Sequence, residues 1–66
     1  MRTFTARIER DPDTGGYFGA VAEIHGAYTQ GETIEELQAN LVEVVELCLE
    51  ETENPVLPFR IKLDLE

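Results

Sequence analysis

Besides the glutamates of one long segment, the groups with chemistry to offer in this 66-residue chain are Glu9, Asp11, Asp13, Glu23, the lone His25 and the lone Cys48. A metal-dependent nuclease or phosphatase needs carboxylates converging on one point, to hold a divalent cation and activate water. Asp11 and Asp13 instead fall within "RDPDTGG", where Asp is favoured for turn formation alone, and "DPDTGG" lacks the full spacing of a calcium loop. His25 has no nearby cysteine to complete a metal site, and the chain contains no serine for it to activate. It reads as a turn residue. Cys48 cannot form an intrachain disulfide and lies on an apolar helical stripe, so packing is its expected role. No catalytic, cofactor-binding or metal-binding residue is expected, and the chain reads as non-enzymatic.

The unusual chemistry is electrostatic. "TIEELQANLVEVVELCLEETEN", Thr33 to Asn54, carries seven glutamates and no lysine or arginine. The net charge of −9 divides as −1 over residues 1–30, −8 over 31–54 and zero over 55–66. On a helical wheel Glu35, Glu36, Glu43, Glu46 and Glu50 share one face, opposite Ile34, Leu37, Leu41, Val42, Val44, Val45, Cys48 and Leu49. Like-charge neighbours at positions 32/35, 32/36, 43/46, 46/50 and 50/53 cost roughly 1–2.5 kcal/mol in all before salt screening. Glu50, Glu51 and Glu53 sit at the negative end of the helix dipole and add to that cost. A glutamate-rich face keeps a small protein soluble, but mixed charges would do so equally well. The purity of sign points to a basic partner, and it disfavours phosphate backbones and anionic membranes. No direct binding of nucleic acid and no membrane association are expected.

These residues need a scaffold, and 66 residues allow one domain, residues 1–66, that buries only about 60% of its unfolded surface. Thr3 to Glu9 alternates Phe4, Ala6 and Ile8 with polar residues, the pattern of a half-buried strand. "RDPDTGG" reverses the chain, and "YFGAVAEI", Tyr17 to Ile24, gives a second strand, antiparallel to the first. Tyr17 and Val21, with Gly19, are assigned to the sheet face opposite the helix, as a contact patch for a partner or a second copy. "AYTQ", bracketed by Gly26 and Gly31, is a short third strand. Thr33 and Glu36 fit a capping box that starts the helix, and Asn54 and Pro55 end it. "FRIKLDLE" alternates Phe59, Ile61, Leu63 and Leu65 with charged residues and is the last strand. The fold class expected is α+β, in the order β-β-β-α-β, with one helix on one face of a small mixed sheet. No signal-peptide stretch or apolar run of membrane-spanning length is present, and a cytoplasmic protein is expected.

The ordered features of "GGYFGAVAEIHGAYTQGETIEELQANLVEVVEL" resemble the N-terminal domain of HicB-like antitoxins: an aromatic-led strand, an "E-I-x-G" turn, "TQGET" as a helix cap, then "N-x-x-E-x-x-E". The likeness runs from about Gly15 to Leu47. Ala22 and His25 stand where that family often has prolines, and Ala27 where it often has cysteine. The resemblance implies a truncated ribonuclease H-like fold without nuclease activity. It also implies a partner, a small basic HicA-like mRNA interferase toxin, which such proteins bind and cover. No C-terminal DNA-binding domain is expected, so operator binding is not carried over. The expected function is an antitoxin-type binding protein, with Glu35, Glu36, Glu43, Glu46 and Glu50 as its electrostatic surface. The alternative is a stand-alone homo-oligomeric module, since so small a core gains from association.

Overall fold

A computed structural model describes residues 1–65 of the chain. The order is β1 (Arg2–Arg10), β2 (Tyr17–Val21), β3 (Tyr28–Gly31), α1 (Ile34–Glu50) and β4 (Phe59–Leu65). The four strands form one mixed sheet in the order β3-β2-β1-β4. β1 pairs antiparallel with β2 and parallel with β4, so it is held on both sides. The α+β arrangement follows the order read from the sequence.

Local chemistry accounts for the connections. Between β1 and β2, Asp11 accepts the Asp13 N–H on its side chain at 2.9 Å, and its main-chain carbonyl accepts the Gly15 N–H, also at 2.9 Å. Gly15 adopts φ +77°, a conformation that costs residues with a Cβ about 1 kcal/mol or more. β2 stops at Val21, three residues short of the expected Ile24. Ala22 makes a last bond to β1, donating to the Thr5 carbonyl, and a reversal through Gly26 at φ +85° leads into β3. The helix stops at Glu50 rather than near Asn54, its last turn closed by Thr52 and Glu53 N–H groups donating to the Leu49 carbonyl.

The core is one layer between helix and sheet. Leu37, Leu41, Val45 and Leu49 recur every four residues along α1 and are buried against Ala6 and Ile8 of β1, Val21 of β2 and Ala27. The helix does not sit centrally. It packs mainly on β3 and β2 and only marginally on β4. Two glycines permit this offset. A Cβ on Gly31 would lie 2.6 Å from the Leu37 nitrogen, and one on Gly19 would lie 2.8 Å from the Ile8 Cδ1 and 3.4 Å from a Leu41 methyl. The bare backbone lets α1 sink onto the β2–β3 side, whereas Phe59, Ile61 and Leu63 of β4 remain half-buried and Leu65 is 60% exposed.

Candidate functional site

The acidic face of α1 is positioned by both ends of the helix and by its buried stripe. Thr33, at φ −126° and ψ 164°, caps the helix, its hydroxyl oxygen accepting the Glu36 N–H at 3.1 Å. With Leu37, Leu41, Val45 and Leu49 turned inward, the helical period directs Glu35, Glu36, Glu43, Glu46 and Glu50 outward. All five are exposed. The last turn holds no basic residue. Among the described residues the ion pair found is between Arg2 and Glu53, which ties the start of β1 to the helix exit and removes Glu53 from the acidic surface. Arg2 also donates to the Leu57 carbonyl at 3.2 Å and stacks over Phe4.

Arg60 and Lys62 do not neutralise the five carboxylates. On β4 they alternate with the inward row Phe59, Ile61 and Leu63, so they belong to the sheet face that the helix leaves open. Glu46 and Arg60 line one shallow groove together with Val42, Val56, Leu57 and Phe59, without an ion pair between them. The molecule is therefore two-sided in charge, with a purely acidic helix surface and an open sheet face of mixed sign.

The expected patch of Tyr17 and Val21 is corrected by the pairing register. Ala6 opposes Val21, Ile8 opposes Gly19 and Arg10 opposes Tyr17. Opposed residues share a sheet face, and Ala6 and Ile8 lie under the helix, so Tyr17, Gly19 and Val21 do as well. Val21 is 4% exposed, and Tyr17 packs against the core with the Arg10 guanidinium over its ring. The open face instead presents Phe18, 41% exposed, and Tyr28, 72% exposed, beside Ala20, Arg7 and Glu9.

Of the four carboxylates weighed for catalysis, Glu23 and Asp11 are occupied structurally. Both Glu23 oxygens accept the Thr5 N–H, at 3.0 and 3.1 Å, beyond the point where β2 has left β1. Asp11 shapes the turn. Glu9 and Asp13 are exposed, His25 is exposed in the β2–β3 reversal, and Cys48 is half-buried against the core. Among the described residues no group of three or more His, Cys, Asp or Glu could hold a metal ion. Asn40 opens the quoted "N-x-x-E-x-x-E" motif, but sequence reasoning gave it no role; its side-chain amide donates to the Gln30 carbonyl of β3 at 2.9 Å. Besides that motif, its signal was a polar residue midway along the helix at the margin of the apolar stripe. Among the described residues no helix is long and apolar enough to cross a membrane.

Compared with known families, residues 4–51 match the model described as UPF0150-like. The chain belongs to that family. It is 56% identical over 50 residues to a UPF0150 protein of Synechocystis, covering 76% of this chain and 71% of that one. A UPF0150 protein of Thermotoga maritima is 48% identical over 50 residues, covering 76% and 67% respectively. No solved structure matches the chain significantly. The UPF0150-like segment takes in β1 from Phe4, the hairpin, β3 and all of α1 with its glutamates, and it ends before β4.

Proposed function

We propose that this UPF0150-like protein is a non-enzymatic, HicB-like antitoxin-type binding protein whose acidic helix face sequesters a small basic toxin of the HicA-like mRNA interferase kind. The observation that carries it is the set Glu35, Glu36, Glu43, Glu46 and Glu50, all exposed on one side of α1 and unpaired with cations among the described residues. Such a surface attracts a basic protein from solution and raises the association rate, with strong dependence on ionic strength. The resemblance of "TQGET" and the helix after it to HicB-like antitoxins supplies the partner's identity. Tyr17 and Val21 are not part of the contact surface.

The test is titration with the small basic protein encoded beside this one, at low and high salt. Affinity should fall as salt rises, and the fivefold Glu→Gln variant should bind at least roughly tenfold more weakly, a loss of about 1.4 kcal/mol. Binding unchanged in that variant, or a neighbouring frame encoding no basic protein, would count against it. A self-associating module is the alternative, supported by the open outer edge of β4.

A further inference from the structure

The sheet has two edges, and they are treated differently. β3 is four residues long, and its Gln30 carbonyl is engaged by Asn40 of the helix that lies over it. β4 is seven residues long and, among the described residues, has no strand beyond it. Its outer main-chain groups form an open template for another strand. Its inward row is only partly covered by the offset helix, with Leu65 60% exposed and Phe59, Ile61 and Leu63 half-buried against the core.

We propose that the outer edge of β4 is an interface between two copies of this chain, paired antiparallel about a two-fold axis at Leu63 into a continuous eight-stranded sheet. The inference gives the self-association alternative a defined surface and does not depend on a basic partner.

The charges of β4 select the register. A two-fold axis normal to the sheet keeps each row of side chains on its own face, so the axis must pass through a residue. With the axis at Ile61, Arg60 would oppose Lys62 of the second copy, twice. With the axis at Lys62, Arg60 would meet Asp64 of the second copy on both sides, but the two Lys62 ammoniums would oppose each other at the centre. With the axis at Leu63, Lys62 opposes Asp64 of the second copy on both sides, Ile61 opposes Leu65, and Leu63 meets its own equivalent. This last register is the one of the three with opposite charges paired and no like charges opposed, and like charges directly opposite are destabilising. Within their own chain, Lys62 and Asp64 form no ion pair among the described residues. Charged residues on an edge strand discourage indiscriminate pairing. Here the same row sets like charges opposite in two registers and only opposite charges in the third, with the apolar row continuing across the axis on the helix side.

The experiment is light scattering on the whole chain across micromolar to millimolar concentration, with three sets of variants. The unaltered protein should show a monomer–dimer equilibrium. Lys62→Glu should weaken it roughly tenfold, because two favourable cross-strand pairs become two repulsive ones, and Lys62→Glu combined with Asp64→Lys should restore it. In a Cys48→Ala background, Leu63→Cys should give an interchain disulfide on mild oxidation, since directly opposed residues lie within bridging distance. Lys62→Cys should give far less. Circular dichroism of each variant confirms that the monomer is folded. A strict monomer at all concentrations overturns both the interface and the self-association alternative. A dimer indifferent to Lys62→Glu, or a disulfide formed preferentially through position 62, overturns the β4 interface while leaving self-association through another surface.

Discussion

The side-chain amide of Asn40 donates to the main-chain carbonyl of Gln30 at 2.9 Å, fastening the middle of the helix to β3. A main-chain carbonyl deprived of this partner must turn to water beside a packed helix. Asn40→Ala should therefore cost about 1 kcal/mol in urea unfolding, with little change in the slope against denaturant. Asn40→Asp should cost at least as much, because it removes the donor and adds another negative charge to an acidic helix.

Gly31 and Gly19 both face the helix, yet substitution should cost very different amounts. A methyl on Gly31 meets helix backbone, the Leu37 nitrogen at 2.6 Å and its Cα at 2.9 Å. Backbone cannot rotate aside, so the helix must lift, and Gly31→Ala should destabilise by about 3 kcal/mol, enough to unfold much of so small a domain. A methyl on Gly19 meets chiefly the tip of Ile8. That tip can shift, and Gly19→Ala should cost below about 1.5 kcal/mol. Thermal denaturation of the pair checks the order.

Glu46 sits between Glu43 and Glu50 on the exposed face and repels both. Glu46→Gln should stabilise the protein by a few tenths of a kcal/mol at low ionic strength, and the gain should vanish in concentrated salt. The same change should weaken capture of a basic partner. Opposite signs for stability and binding separate a surface kept for recognition from one kept for solubility.

Thr5 is reached by Glu23 from eighteen positions away, both carboxylate oxygens accepting its N–H. Glu23→Ala leaves that donor at the end of the β1–β2 ladder to water and should cost about 1 kcal/mol, visible as faster amide exchange at Thr5 than at Arg7. Glu23→Gln keeps one acceptor and should recover part of the loss.

Much of this architecture was legible where a single local pattern dominates. β1 and β4 alternate one apolar row with one polar row, and α1 begins at a capping residue and buries a four-residue repeat. β2 offered no such contrast, because Tyr17, Gly19 and Val21 compete with Phe18 and Ala20, both rows being small or aromatic. Its phase is set by a distant relationship, Gly19 lying opposite Ile8 beneath Leu41, and the assignment of Tyr17 and Val21 to the open face failed for that reason. The outward glutamates were visible from helical period alone. The bond between Glu23 and Thr5, and the partial cover of the inward row of β4, depend on how strands and helix meet in space and could not be read from neighbours in the chain.

The parallel pairing of β1 with β4 also bears on how the molecule is made. The inner strand β1 is made before both of its neighbours, and the second of them, β4, follows only when residue 65 has emerged from the ribosome. Until then the nascent chain holds a hairpin and a helix with one side of β1 unsatisfied. Completion of the sheet thus waits on β4, and a chain stopped before Phe59 would leave a fragment with one side of β1 unpaired, suited to degradation instead of a smaller working protein.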